Sequence, residues 1–423
     1  LFQFEASNGL EQAVLVGVIR PDQTRWQVDE HLDELAFLAD TAGAEIKGRL
    51  IQKKAPVDSA FFIGRGKVEE LNNYVQEVGA VLIIFDDDLA PVQIKNVEKI
   101  CGCKVIDRSG LILDIFARRA KTREARTQVE LAQLRYLLPR LTRQWTHLSR
   151  QVGGIGTKGP GETQLEVDRR QIRIRIRHLS EELEKIQREQ NIRRKRREDI
   201  YKVALIGYTN VGKSTLLNIL TESSVFVEDR LFATLDPTVR NAQFAKSRPI
   251  LLIDTVGFIR KLPHDLIASF RSTLAEAAEA DLLIHVIDVS HPVFMEQITT
   301  VLDVLKTLKI DDRPILNVFN KIDKVREPGL INRLIQDFPN AVPISAARGM
   351  FIEKLKQEII NFAESEMVET EIVFNFSQNK IVAKAYEMVR VLERQYLDSQ
   401  IILKIRGEKW KVEQIKNLAD QNV

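Results

Sequence analysis

Cysteine is almost absent from this 423-residue chain, which has only Cys101 and Cys103. One intervening residue is poor spacing for a disulfide, and two sulfurs with no histidine nearby cannot close a zinc site. Both read as reduced thiols of a cytoplasmic protein. The six histidines are scattered without metal-ligand spacing, and no Cys/His group suggests a second catalytic centre. Long apolar runs are missing as well. Stretches such as Val81–Phe85 fall far short of the ~18 residues a membrane span needs and read as buried strands. The first ten residues lack a basic start and a long apolar core, so no secretory signal is expected. There are no internal repeats or low-complexity tracts, and the net charge is only +3.

That small total hides a strong asymmetry. Arg118–Asp199 holds 22 Lys and Arg against 11 acids, a net +11, which leaves −8 on the remainder. One segment is a polycation on a mildly acidic protein. Around it the chain divides into four regions. Residues 1–117 alternate strands (Ala13–Val18, Val81–Phe85, Lys104–Ile106) with helices (Val28–Ala42, Lys67–Val78, Pro91–Cys101), which predicts a small, largely parallel α/β domain. GRGK at Gly64–Lys67 is too short to count as a second nucleotide site.

Residues 118–199 carry two heptad seams, one through Leu131, Leu134, Leu138, Leu141, Trp145 and Leu148, the other through Ile172, Ile176, Leu179, Leu183 and Ile186. Between them residues 150–162 contain five glycines and Pro160 and cannot be helical. The spacing predicts an antiparallel hairpin with a flexible basic tip, a bend at Pro139, and a basic linker over Asn191–Asp199. Arg169, Arg170, Arg173, Arg177 and the Arg193–Arg197 cluster suit the phosphates of RNA, and Trp145 is expected in the helical seam. Residues 200–365 read as a second α/β domain with strands Ile250–Asp254, Leu282–Asp288, Ile315–Asn320 and Ala341–Ile344. Residues 366–423 read as a small α+β unit: strand Val368–Phe376, helix Gln378–Arg394, strand Gln400–Arg406, helix.

The chemistry lies in 200–365. Gly207, Tyr208, Thr209, Asn210, Val211, Gly212, Lys213 and Ser214 follow a strand and precede a helix, the setting of a phosphate loop. Its backbone N–H groups wrap phosphates, Lys213 reaches the β/γ oxygens, and Ser214 is a Mg²⁺ ligand. Asp254, Thr255, Val256 and Gly257 end the next core strand. Asp254 is placed to hold Mg²⁺ and Gly257 to offer its N–H to the γ-phosphate. Asn320, Lys321, Ile322 and Asp323 select the base, because a carboxylate matches guanine's two donors and repels adenine N1. Asn320 is expected toward N7, the Lys321 stem over the ring, and the loop Ser345, Ala346, Ala347 near O6. Between the first two motifs, Phe232, Ala233, Thr234, Leu235 and Asp236 form a candidate switch, with Thr234 (or Thr238) completing the Mg²⁺ shell. The catalytic candidates are therefore Lys213, Thr234 and Gly257, and the metal candidates Ser214, Thr234 and Asp254. Phe258 stands where many GTPases carry a water-orienting glutamine, which implies slow intrinsic hydrolysis and a stimulating partner. Asn210 is a candidate ligand for a monovalent cation such as K⁺, against the plainer role of bonding the loop backbone.

Several segments resemble the HflX family of translational GTPases: GLILDIFARRA (Gly110–Ala120), VELAQLRY (Val129–Tyr136), GGIGTKGPGETQLE (Gly153–Glu166), GYTNVGKS, LFATLDPT and DTVGFIRKLPH (Asp254–His264). The resemblance implies an α/β fold in which a P-loop GTPase domain is joined to a small N-terminal α/β domain, a helical hairpin and a C-terminal α+β domain. It also implies a cytoplasmic protein, monomeric when free, that uses GTP/GDP and Mg²⁺ and binds the large ribosomal subunit and its rRNA. Dissociation of stalled 70S ribosomes under stress is the implied task. The rival reading from the residues alone is a GTP-dependent RNA-binding switch in ribosome assembly or on another RNA or protein.

Overall fold

The computed structural model describes residues 10–53, 56–141, 164–195, 200–221, 231–232, 238–242, 244, 249–261, 277–338, 340–365, 367–397 and 400–420. They form two compact units, Leu1–Ala242 with Ile250–Arg348, and Gln243–Pro249 with Gly349–Val423. Among the described residues no helix is long and apolar enough to cross a membrane.

The first unit begins with β1 (Glu11–Ile19), α1 (Arg25–Thr41), β2 (Ala44–Lys53), α2 (Arg65–Val78), β3 (Leu82–Phe85), α3 (Pro91–Cys101), β4 (Lys104–Asp107) and α4 (Arg108–Arg119). The strands build a parallel four-stranded sheet in the order β2-β1-β3-β4. A capping box starts α1: the Gln27 N–H donates to Thr24 Oγ1 at 3.2 Å and the Thr24 N–H to Gln27 Oε1 at 2.9 Å. Pro91 opens α3, and Gly102 in the left-handed region closes it. Val14, Val16, Ile83 and Phe85 anchor the core on one face of the sheet. Strand β2 escapes the sequence pattern because it is an edge whose residues are half exposed, so its apolar alternation is weak.

Helices α5 (Arg123–Leu137) and α6 (Gln164–Lys195) follow and pack together through Leu131, Leu134, Leu179 and Leu183, with Ile172 and Ile176 alongside. Two differences from expectation appear. Pro139 does not bend a continuing helix: α5 stops at Leu137 and a 3₁₀ turn, Leu138–Arg140, takes over, since proline cannot supply the next helical N–H. The expected linker is helical through Arg193, Arg194 and Lys195, where nothing in the sequence breaks the helix. Arg175 pairs bidentately with Glu130 across the hairpin (2.7 and 3.0 Å), and Arg169 donates to the Leu141 carbonyl at 2.8 Å. Arg173 and Arg177 are exposed one turn apart on α6. Trp145, Leu148, the tip 150–162 and residues Arg196–Asp199 lie outside the described residues.

The remainder of this unit runs β5 (Tyr201–Gly207), α7 (Lys213–Thr221), β6 (Thr238–Ala242), β7 (Ile250–Asp254), β8 (Leu282–Asp288), α8 (Phe294–Leu308), β9 (Ile315–Asn320), α9 (Leu330–Asp337) and β10 (Val342–Pro343). They form a six-stranded sheet ordered β10-β9-β8-β5-β7-β6, parallel except for the edge strand β6. Such a sheet gathers the loops after β5, β7, β9 and β10 at one end, where open α/β folds bind ligands.

The second unit contains α10 (Ile352–Ser365), β11 (Met367–Asn375), α11 (Asn379–Met388), β12 (Arg390–Leu397), β13 (Gln400–Glu408) and α12 (Lys409–Asp420). The helix expected over Gln378–Arg394 is two elements. α11 ends at Met388, and Arg390–Leu397 becomes an edge strand of an antiparallel sheet ordered β11-β13-β12. Val391, Leu392 and Tyr396 favour a strand, and pairing with β13 overrides the helical spacing.

Candidate functional site

The loop Gly207–Gly212 leaves β5 with φ of +148° at Gly207, +60° at Asn210 and +96° at Gly212, and α7 begins at Lys213. Only glycine fits at 212: a Cβ there would fall 2.5 Å from Asn320 Nδ2. The Lys213 ammonium is buried in the cup and donates to the carbonyls of Gly207 (3.2 Å) and Tyr208 (2.7 Å). Burial lowers its pKa to about 8, although the Asp254 carboxylate pulls the other way. At the loop's mouth Ser214 Oγ donates to Asp254 Oδ2 at 2.6 Å, so two hard oxygen donors from separate elements meet beside the lysine.

Asn320 bonds to two neighbouring loops of the site. Its Nδ2 donates to the Val211 carbonyl at 2.7 Å, and its Oδ1 accepts the Ala346 N–H at 2.9 Å. The side chain therefore ties the phosphate loop to the Ser345–Ala347 loop. Lys321, at φ +62°, donates to the Asn210 carbonyl (2.8 Å) and pairs with Asp288 (2.7 Å). Ile322 and Asp323 lie in a 3₁₀ turn, and the Ile322 N–H bonds the Ile344 carbonyl, which brings Asp323 alongside Ser345. Hydrogen bonding from Ser345 holds the Asp323 pKa below the usual carboxylate range.

The loop after Asp254 is fastened to the phosphate loop. The Thr209 N–H donates to the Phe258 carbonyl (2.7 Å), and the Phe258 N–H donates to the Gly207 carbonyl (3.0 Å). This puts Gly257 so close that a Cβ would lie 2.8 Å from Thr209 Cα and 3.1 Å from Lys213 Nζ. Thr255 Oγ1 donates to the Leu205 carbonyl at 2.7 Å, and Val256 is buried. Phe258 is buried and offers no polar side chain. Phe232 is buried against Phe116 of α4, ring centroids 4.5 Å apart and nearly perpendicular. Ala233, Thr234, Leu235 and Asp236 lie outside the described residues, and Thr238 opens β6 opposite Asp254.

The sequence reading missed a polar clasp between this loop and the N-terminal sheet. Strands β1 and β3 lead to opposite sides of that sheet, and in parallel α/β sheets such a switch point opens a ligand crevice. Arg260 and Lys261 fill it. Lys261 Nζ bonds Asp86 Oδ2 (2.8 Å) and Asp87 Oδ1 (2.6 Å), and Arg260 bonds both Asp86 oxygens at 3.2 Å. Arg108, fully buried, bonds Asp86 at 2.8 Å, Glu34, and the Arg260 carbonyl at 3.1 Å. Tyr208 of the phosphate loop donates to Glu34 at 2.5 Å and accepts the Arg260 N–H at 2.7 Å. Burial alone would raise the Asp86 pKa, but Arg108, Arg260 and Lys261 outweigh it and hold the carboxyl far below its ordinary value. The only hints in the sequence were three aspartates (Asp86–Asp88) after a buried strand and a lone arginine ahead of an apolar helix. A cavity of about 250 Å³ lies beside the clasp, lined by His31, Asp33 and Glu34 of α1 and by Tyr208, Asn210 and Lys321.

A phosphate loop, a carboxylate meeting its serine, and an aspartate beside Ser345, all at the carboxyl end of a mostly parallel sheet, belong to a P-loop GTPase that hydrolyses GTP. Three family profiles match consecutive stretches: GTP-binding GTPase N-terminal over residues 29–117, GTP-binding GTPase Middle Region over 119–197, and 50S ribosome-binding GTPase over 202–321. The chain is 54% identical over 313 residues to GTPase HflX of Flavobacterium psychrophilum, spanning 74% of this chain and 76% of that protein. It is 42% identical over 409 residues to GTPase HflX of Escherichia coli, 95% of both chains. A solved GTP-binding protein from Sulfolobus solfataricus in complex with GDP is 26% identical, with a TM-score of 0.44, over 84% of this chain and 99% of that one. The chain belongs to the HflX family of GTPases.

Proposed function

We propose that this GTPase acts on the large ribosomal subunit, with the basic hairpin 118–199 lying on rRNA, and that its GTP state drives dissociation of stalled 70S ribosomes under stress. The observation that carries this reading is the clasp. The loop that senses the γ-phosphate is bonded at once to the phosphate loop and to the N-terminal sheet, so nucleotide state and RNA-facing parts cannot move independently. The 50S ribosome-binding description of the matched family and the hairpin's net +11 support the choice of partner.

Within the site, Lys213 neutralises the β/γ oxygens and the backbone of 207–212 wraps the phosphates. Gly257 meets the γ-phosphate with its N–H, and Asp323 takes guanine N1 and N2, flanked by the Ser345–Ala347 loop. Ser214 and Asp254, already in contact, fit Mg²⁺ as hard oxygen donors with Thr234, and the ion supplies charge neutralisation at the phosphates. Asn210 is the candidate K⁺ ligand, against its plainer role of bonding the loop backbone. With Phe258 in the glutamine's place, this chain has no side chain there to orient water, and hydrolysis waits on the ribosome.

Hydrolysis measured with and without large ribosomal subunits tests the reading. Stimulation of at least tenfold, falling steeply with added salt, is expected. Normal GTP binding without stimulation would overturn the ribosomal assignment. Deleting residues 150–162 is expected to leave intrinsic turnover and abolish stimulation; stimulation that survived would remove the tip as the activating contact.

The lysine gives a second prediction. Phosphates need the charged ammonium, so above the free-state pKa of about 8 binding must take up a proton. GDP affinity should be flat below pH 8 and weaken above it by up to roughly tenfold per pH unit. Calorimetry at pH 9 in buffers of different ionisation enthalpy should register that uptake. A Kd constant from pH 7 to 9.5 would contradict it.

A further inference from the structure

Asp107 and Arg108 are neighbours at the corner where β4 becomes α4, and each holds a different moving part. Arg108 holds the nucleotide-sensing loop. The Arg260 peptide is gripped at both ends, its carbonyl accepting from Arg108 Nε at 3.1 Å and its N–H donating to Tyr208 Oη at 2.7 Å. The planar guanidinium is itself fixed by Asp86 and Glu34, so a shift of Arg260 by an ångström breaks a bond or carries Arg108 with it.

Asp107 holds the hairpin. Its carboxylate is fully buried, and four donors converge on it: Tyr136 Oη (2.7 Å) and the Gly110 N–H (2.8 Å) on one oxygen, Arg140 Nη2 (3.0 Å) and the Leu89 N–H (3.2 Å) on the other. Arg140 also lies 3.5 Å over the Tyr136 ring and bonds the Leu89 carbonyl at 3.2 Å. Tyr136 and Arg140 belong to the last turn of α5 and the 3₁₀ turn after it, the end of that helix that leads on toward residues 150–162. The corner between the two grips is stiff. Ser109 Oγ bonds Asp88 at 2.5 Å, and Gly110 sits so close that a Cβ would lie 2.8 Å from Tyr136 Oη.

We infer that Asp107 and Arg108 form a splint that transmits the position of the loop after Gly257 into the tip-side end of α5 in the basic hairpin. Arg108 is the positioning residue for the loop and Asp107 for the hairpin, and about 3.8 Å separates their Cα atoms. A guanidinium and a carboxylate, each with every strong partner in place, make a route with discrete bonds that break or hold, which is what a two-state relay requires. The hairpin's task on RNA rests on the reading above, whereas the relay is a property of the free protein and is measured on it.

The test is backbone amide exchange of the full-length protein, loaded with Mg²⁺ and either GDP or a non-hydrolysable GTP analogue, followed by mass spectrometry over residues 129–141 and 254–261. In the natural sequence both stretches are expected to exchange at rates that differ severalfold between the two nucleotides. Tyr136→Phe removes one hydroxyl and should cut the nucleotide-dependent difference at 129–141 by more than half while leaving that at 254–261. Arg108→Gln should abolish it at 129–141. A merely structural role would raise exchange equally in both nucleotide states. No nucleotide-dependent difference at 129–141 in the natural sequence would overturn the splint, as would a difference undiminished in Tyr136→Phe. Should ribosomal stimulation fail while this exchange signature is present, the ribosomal reading falls and the splint stands.

Discussion

Asp323→Asn will transfer base preference from guanosine to xanthosine nucleotides, with a swing on the order of 10⁴-fold in relative affinity. The carboxylate offers two acceptor oxygens to the N1 and N2 donors of guanine. It is kept ionised and oriented by the Ser345 hydroxyl, with Arg348 Nε at 3.4 Å. Asparagine puts an NH₂ where one acceptor stood, so a guanine donor meets a donor and both go unpaired, which costs far more than losing a neutral contact. Xanthine carries a carbonyl at that position and restores the pairing. The guanidinium of Arg348 is largely exposed and screened, so it adds little to the swing. Competition of GDP and xanthosine diphosphate against a fluorescent nucleotide measures the outcome. A GDP affinity within twofold of the natural protein would remove Asp323 from the base site.

Arg108→Met should be the most damaging single change outside the nucleotide site. Arg108 is fully buried between Glu34 and Asp86, and methionine keeps most of its volume while leaving two carboxylates short of their main partner. Breaking such a pair from one side costs about 3–5 kcal/mol, a fall in Tm of roughly 5–15 °C. Arg260 and Lys261 still reach Asp86, which puts the expected loss toward the lower end. The pH dependence has a definite sign. A carboxyl whose folded pKa is depressed contributes stability above its unfolded value of about 3.9 and loses it as pH falls through the folded value. In the natural protein Asp86 lies well below that, so its contribution survives mild acid. In Arg108→Met the folded pKa moves back toward the ordinary range, so the contribution is already diminished at neutral pH, and protonation in mild acid relieves part of the unpaired charge. Thermal unfolding at pH 7 and pH 4 should therefore show the largest gap between the two proteins at pH 7. A Tm equal to that of the natural protein at pH 7 would mean the clasp adds no net stability.

What the sequence revealed and what it concealed follow from the range of the interactions involved. The phosphate loop, Asp254–Gly257, Asn320–Asp323 and Ser345–Ala347 are short peptides at strand ends, where spacing alone places donors and acceptors. The heptad leucines of α5 and α6 were legible for the same reason, and Leu131, Leu134, Leu179 and Leu183 do pack together. Edge strands β2 and β6 were not, because an edge buries too little for a clear alternation. Strand β12 looked helical until its partner β13 was counted. The Asn320 motif was legible, but its amide's reach across 109 residues to the Val211 carbonyl was not. The clasp was invisible for an even plainer reason: Arg108 meets the Arg260 carbonyl 152 residues away, and no local pattern records such a pairing.

The crevice at the switch point of the N-terminal sheet has a consequence for how this molecule answers to its surroundings. Its occupants, Arg260 and Lys261, are tethered parts of the same polypeptide, present at an effective concentration of about millimolar. A free cation of the same chemistry, an arginine or a polyamine, would have to exceed that level to displace them. The crevice of the N-terminal sheet is thus filled from within the same polypeptide. Emptying it requires movement of the loop after Asp254, the same loop that is bonded to the phosphate loop through Thr209 and Phe258.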